Sequence, residues 1–194
     1  MIAFVRHGQT AANRDGQLQG RADPPLTDLG EAQARAVAAA LASTPVTRVV
    51  ASPLQRAIAT ARAIADAHGL SVDIDDRLVE LDYGDWDARG LRDVSPEEWD
   101  AWRADVHFTP PGGESLVSVT ARIVEFCVEQ TADGFTVAVS HVSPIKAAVC
   151  WALGVDERAS WRMHLDLATV TRVGRRGNAP YLASYNESAL TTPR

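Results

Sequence analysis

Lysine is almost missing from this chain of 194 residues: Lys146 stands alone against 18 arginines. Basic residues as a whole are outnumbered, 19 to 25 acidic ones, for a formal net charge of −6. With no basic run, the massed cations that give affinity for a phosphate backbone are lacking, which argues against nucleic acid as a partner. Cysteine is scarce too. Cys127 and Cys150 are too few for a disulfide-dense scaffold or a four-cysteine zinc site. No apolar run reaches the ~18 residues of a membrane helix. The opening Met1-Ile2-Ala3-Phe4-Val5 is too short for a signal-peptide core before charge interrupts it. These absences leave the expectation of a cytoplasmic protein with no membrane partner, one domain over residues 1–194.

What is present is ordinary globular composition, 46% hydrophobic and 23% charged. Short β-branched runs alternate with alanine-rich helical stretches, the pattern of an α/β fold. Strands are expected over 2–5, 48–51, 72–75, 136–140, 167–173 and 181–185. The last two flank the turn-rich Gly174-Arg175-Arg176-Gly177-Asn178, which suggests an antiparallel hairpin at a sheet edge. Such an edge could support a homodimer. Thr27 or Asp28 caps one helix, and Ser52-Pro53-Leu54-Gln55 reads as the start of a second with Ser52 as N-cap. Leu116, Val119, Ile123, Phe126 and Cys127 form the apolar stripe of a third; Ser143-Pro144 opens a fourth that Gly154 ends. Residues 80–111 hold Trp86, Trp99 and Trp102 among many charges, with a short helix over 96–103. They read as an excursion over the sheet, and the stretch after Glu187 as a loose tail.

Four positions draw attention as chemistry. Arg6, His7 and Gly8 lie just past the carboxyl end of the first strand, where open α/β sheets keep their sites, and Gly8 would let the backbone approach a ligand. A histidine there could be a base, a metal ligand or a nucleophile. Arg56 falls about one turn into its helix, where it and the free N–H groups would attract one anion; a surface arginine covering apolar neighbours fits as well. His141 repeats the location of His7 at the end of another strand, and Glu80 follows a third.

These residues belong to a longer pattern. Val5-Arg6-His7-Gly8-Gln9-Thr10-Ala11-Ala12-Asn13 resembles the signature of the histidine phosphatase, or phosphoglycerate-mutase-like, superfamily. The likeness continues through Leu18-Gln19-Gly20, Pro25-Leu26-Thr27-Asp28-Leu29-Gly30, Ala51-Ser52-Pro53-Leu54-Gln55-Arg56-Ala57, Leu78-Val79-Glu80 with Gly84-Asp85-Trp86, Pro111-Gly112-Gly113-Glu114-Ser115 and Val139-Ser140-His141. Ordered blocks of this kind are far more specific than one motif. The resemblance implies a three-layer α/β/α sandwich with a mostly parallel sheet and an antiparallel edge strand. It implies His7 as the nucleophile that becomes a phosphohistidine, Arg6, Arg56 and His141 as a clamp on the phosphate oxygens, and Glu80 as the acid, with Asp82 in reserve. It places Asn13 in the same pocket and Gln19 on the substrate. No metal and no cofactor are implied, and the partner is a small phosphorylated metabolite. With Glu80 as acid, the rate should fall above mildly acidic to neutral pH.

Val142 departs from the glycine of many relatives, though its N–H would remain for a phosphate contact. The run Ser140-His141-Val142-Ser143-Pro144-Ile145-Lys146 resembles a variant of the cobalamin-biosynthesis-type phosphatases. Lys146, in the first turn of the following helix, could steer anions, but reads first as a surface-solvated side chain. Metal-independent phosphomonoester hydrolysis is therefore the leading expectation; a cofactor-dependent phosphoglycerate mutase and a non-catalytic phospholigand-binding module are the alternatives. His68, His107 and His164 lack partners at metal-ligand spacing, and Cys127 and Cys150 read as core thiols.

Overall fold

The computed structural model describes residues 1–188. In chain order its elements are β1 (Ile2–Arg6), α1 (Ala11–Arg14), α2 (Asp28–Leu41), β2 (Arg48–Ala51), α3 (Gln55–His68), β3 (Val72–Ile74), α4 (Pro96–Ala104), α5 (Leu116–Gln130), β4 (Thr136–Ser140), α6 (Val142–Leu153), β5 (Thr169–Arg176) and β6 (Ala179–Ser188). Short 3-10 turns occupy Asp76–Leu78, Gly84–Trp86 and Glu157–Arg162. The six strands form one sheet in the order β3-β2-β4-β1-β5-β6. The first four are mutually parallel; β5 runs antiparallel to β1, and β6 antiparallel to β5. The expected α/β sheet with its antiparallel hairpin at one edge is thus present.

Alternation along the strands sorts the core into two layers. Ile2, Phe4 and Ala138 face Ile123, Phe126, Cys127, Ile145 and Ala148 of α5 and α6. Ala3, Val5, Val137 and Val139 face Val37, Leu41, Ala57, Ala61 and Ile64 of α2 and α3. A strand covered on both faces has no reason to alternate polar and apolar residues, which is why 136–140 reads as an unbroken buried run. Cys127 and Cys150 are buried free thiols, as expected of core residues. His68 bridges α3 to α2, with Nδ1 on the Ile64 carbonyl and Nε2 on that of Leu41.

The excursion packs through aromatic contacts. Trp86 and Trp102 are buried, and Ser95 caps α4 with Glu98 closing a capping box. The backbone of Leu18 pairs with Ala88 and Arg89, and the Asp87 carboxylate accepts from the N–H groups of Gly20 and Ala22. The excursion is thereby tied to the loop that follows β1. The tail expected after Glu187 lies, beyond Ser188 at the end of β6, outside the described residues.

Candidate active site

β1 and β4 are parallel neighbours with Arg6 beside Ser140, so His7 and His141 leave the sheet side by side. Their ring centroids are 5.0 Å apart. His7, Arg56, Glu80 and His141 are each at most 3% exposed. His7 Nδ1 lies 2.7 Å from the Gly8 carbonyl oxygen, which can only accept, so Nδ1 carries the proton and Nε2 keeps a lone pair. Burial, and then the charges of Arg56 and Arg6, hold the His7 pKa well below its ordinary 6.5. The imidazole is therefore neutral at neutral pH. His141 is lowered in the same way, by burial and then Arg56. Its Nδ1 accepts from Arg56 Nε at 3.3 Å, which leaves Nε2–H to donate to Ser52 Oγ at 2.8 Å.

That last bond corrects the reading of Ser52 as a helix cap. α3 begins at Gln55, with Leu54 at the N-cap position and no side-chain cap. The Ser52 hydroxyl serves His141 instead, and the Gln55 N–H donates to the Asp23 carboxylate at 2.9 Å. Arg56 is consequently the second residue of α3, nearer the helix start than expected. Its Nη1 and Nη2 donate to the carbonyls of Ala22 and Gly20, at 2.7 and 2.9 Å. Gly8 also differs from expectation. A Cβ there would come within 2.3 Å of the Gly30 carbonyl oxygen, so glycine permits contact with α2. The Gly8 N–H is fixed by Thr60 Oγ1 of α3 at 3.1 Å.

α6 also starts earlier than the Ser143-Pro144 signal suggests, at Val142 with His141 as N-cap. The Glu80 carboxylate supplies the reason. Its oxygens accept from the N–H groups of Val142 (3.0 Å), Ser143 (3.1 Å) and Leu81 (2.8 Å). A carboxylate at a helix N-terminus satisfies orphan donors and complements the dipole. The Val142 N–H, expected to be open to a phosphate, is thus committed to Glu80. The segment bearing Glu80 is braced in turn by Arg122, which donates to the Val79 carbonyl at 2.7 Å and grips Glu114 at 3.0 Å. The block Pro111-Gly112-Gly113-Glu114 packs against the same segment: a Cβ on Gly113 would meet the Asp82 carbonyl oxygen at 2.4 Å.

Arg6, His7, Asn13, Gln19, Glu80 and Val142 line one cavity of about 450 Å³. Arg56 and His141 adjoin His7 without being part of that lining. Arg6 donates from Nη1 to the Leu165 carbonyl at 2.6 Å, while its buried Nε has no partner among the described residues. Asn13 Oδ1 accepts the Thr10 N–H at 3.0 Å, and Gln19 Oε1 takes the Thr10 hydroxyl at 2.6 Å. The amide Nε2 of Gln19 is likewise without a partner among those residues. The floor therefore holds surplus donors, the inventory suited to an oxyanion.

Several wall residues were not singled out from sequence, Tyr83, Leu91, Trp161 and Asp166, and His164, set aside there for want of a metal-ligand partner, lines the wall as well. Lys146, read as surface-solvated, is on the wall as well and only partly exposed. Val142 and Lys146 are four residues apart on α6, hence on one helical face, and that spacing was the available signal. Trp161, His164 and Asp166 come from a stretch without a motif.

The sequence profile of the histidine phosphatase superfamily (branch 1) matches residues 2–188. The chain belongs to this superfamily. It is 38% identical over 177 residues to a bifunctional protein of Mycobacterium tuberculosis, a match covering 88% of this chain and 49% of that protein. The chain thus spans about half the length of the first curated relatives it matches. A probable phosphoglycerate mutase of Yersinia enterocolitica is 36% identical over 191 residues, covering 94% of this chain and 88% of the relative. Among solved structures, a mycobacterial glucosyl-3-phosphoglycerate phosphatase superposes with a TM-score of 0.87 at 31% identity, covering 96% of this chain and 98% of that one. The likeness in sequence thus includes a probable mutase, and the likeness in fold a phosphatase. Among the described residues, no helix is long and apolar enough to cross a membrane.

Proposed function

We propose that this protein hydrolyses phosphomonoesters of small metabolites through a covalent phosphohistidine on His7. The observation that carries the reading is the committed tautomer of His7. With Nδ1–H tied to the Gly8 carbonyl and the ring held neutral, Nε2 presents its lone pair beside the cavity. In the first step the Nε2–P bond forms and the P–O bond to the leaving group breaks. Glu80, in its protonated form, gives that leaving oxygen its proton and becomes the carboxylate that the N–H groups of Leu81, Val142 and Ser143 hold. Arg6, whose Nε is unpartnered among the described residues, and Arg56 behind it stabilise the charge on the equatorial oxygens. In the second step Glu80, now a carboxylate, takes a proton from water as the water oxygen attacks phosphorus. Inorganic phosphate leaves and His7 is regenerated. Asn13 and Gln19 are proposed to bind substrate oxygens through their free amide groups. No metal or organic cofactor enters these steps.

Hydrolysis of p-nitrophenyl phosphate in the presence of EDTA tests the reading. Turnover abolished by His7→Ala, with an acid-labile, alkali-stable phosphoryl-enzyme trapped from the unmodified protein, is the expected result. Undiminished turnover by His7→Ala overturns it. The probable mutase among the relatives favours one competing reading, phosphoryl return to the substrate. Efficient conversion of 3-phosphoglycerate to 2-phosphoglycerate, primed by 2,3-bisphosphoglycerate and without net phosphate release, would establish that reading instead.

A further inference from the structure

The only lysine of the chain lies on the wall of this cavity. Lys146 makes no hydrogen bond and no ion pair among the described residues. The cavity has two acidic residues that could neutralise it, and both are engaged elsewhere. Glu80 spends its oxygens on three backbone N–H groups, and Asp166 spends its own on His164 (2.8 Å) and on Asn186 Nδ2 (3.1 Å). Arg6 supplies the charge expected at the reacting phosphoryl group, with Arg56 behind it. Lys146 is therefore a surplus cation in the same cavity. It follows Val142 by one turn of α6, ~6 Å along the axis from the Glu80 end. Long helical side chains lean back toward the helix N-terminus, so the ammonium is carried toward that end. Burial lowers the Lys146 pKa from its ordinary value, and the nearby charge of Glu80 opposes that shift without cancelling it, the mark of a cation partly stripped of water.

We propose that Lys146 recognises a second anionic group on the substrate, so that preferred phosphomonoesters carry a carboxylate or a second phosphate in the leaving portion. The proposal rests on the phosphatase reading above. The lining of the cavity also includes Trp99, Trp102, Leu91 and Leu116, so an anion bound inside it would gain from a low local dielectric. A neutral leaving portion would leave the ammonium unpaired in the closed complex.

Matched substrates test this. Values of kcat/KM are compared for 3-phosphoglycerate against glycerol 3-phosphate, and for fructose 1,6-bisphosphate against fructose 6-phosphate. The first pair isolates a carboxylate, the second a phosphate. The unmodified protein is expected to favour the anion-bearing member of at least one pair, and Lys146→Met to reduce that preference by about tenfold, chiefly through KM. Lys146→Arg should restore most of the preference. No preference in either pair, or equal losses for both members in Lys146→Met, overturns the proposal. Hydrolysis of p-nitrophenyl phosphate is followed alongside in the unmodified protein and in His7→Ala. Where it proceeds and depends on His7, a flat comparison removes the role of Lys146 alone. Where it does not, the phosphatase reading fails and this inference with it.

Discussion

At the floor of the cavity, His7 and His141 are delivered by adjacent parallel strands, and backbone carbonyls or hydroxyls fix their ring nitrogens. At the roof, Trp99 stacks on Trp102 with centroids 5.5 Å apart, and Trp161 meets Trp102 edge-on at 4.9 Å. The indole N–H groups of Trp102 and Trp161 are buried there with no partner among the described residues. One end is thus specified by sheet topology and directional bonds, the other by aromatic packing of segments that are not part of the sheet. Directional bonds fix atoms to within fractions of an ångström, as phosphoryl chemistry requires; packing defines a shape and little else. The floor should carry the rate and the roof the choice of substrate.

The largest test of that division is Arg6→Ala. Removing a preorganised donor from a developing oxyanion should lower kcat/KM for p-nitrophenyl phosphate by ~10²–10³-fold. Circular dichroism should show the fold retained, because among the described residues the Arg6 side chain holds a single hydrogen bond, to the Leu165 carbonyl. A loss below about tenfold would move the oxyanion site away from this strand end.

A second test uses protons. The folded-state pKa values of His7 and His141 both lie below the ordinary 6.5, because burial and Arg56 disfavour their charged forms. As pH falls below 6.5, the unfolded chain binds protons that the folded chain refuses. Stability from these groups is therefore full above 6.5 and is lost as pH drops toward the folded-state values. The slope should reach up to ~1.4 kcal/mol per pH unit for each histidine. Urea midpoints measured between pH 7.5 and 5 should fall, and His7→Asn should flatten the trend. An unchanged slope in that variant would mean that His7 titrates as in the unfolded chain.

These two regions were unequally legible in the sequence. The floor was readable because strand ends are marked locally: 48–51 and 136–140 match β2 and β4 residue for residue, and the polar residues just past strand ends stand out. Even there, local signals lost where distant groups intervened. Ser52 carried a sound capping pattern, but its hydroxyl is taken by His141, 89 residues away in sequence. Ser143 resembled a helix start, yet Glu80 reaches from 62 residues away to stabilise a start at Val142. The roof was marked only by Trp99 and Trp102, which stand out within the excursion and line the cavity. Trp161 and Asp166 come from a segment without a motif that tertiary packing brings to the cavity, and Lys146, whose sequence setting favours a solvated cation, reaches the wall because α6 is docked beside Glu80.

A smaller effect tests how the floor is supported. Arg122 and Glu114 brace the backbone that carries Glu80, without lining the cavity floor themselves. Arg122→Ala should cost about 1–3 kcal/mol of stability, seen as a lower Tm, because it strands carbonyls and leaves the largely buried Glu114 carboxylate with only the longer contact to Arg21 and the Asp82 N–H. It should also lower kcat more than it raises KM, since the displaced group is Glu80. In a double-mutant cycle with Glu114→Ala the two losses should fall short of additivity. Additive losses, with kcat untouched, would detach this brace from the floor.

Trp99→Ala is the mildest change and bears on the roof alone. Trp99 is only half-buried, stacked on Trp102 and lying under the Arg103 guanidinium at 5.6 Å. Losing one aromatic partner is worth about 0.5–1.5 kcal/mol, which converts to roughly two- to tenfold in binding. The expected outcome is a rise in KM of that size, differing from one leaving group to another, while kcat holds across the same panel. The reason is geometric: none of the bonds that fix His7, Glu80 or Arg6 comes from Trp99, so its removal should reshape the wall and leave the reacting atoms where they are. A uniform fall in kcat for every phosphomonoester would instead mean that the tryptophan stack sets the position of the floor, and the division between the two ends of the cavity would not hold.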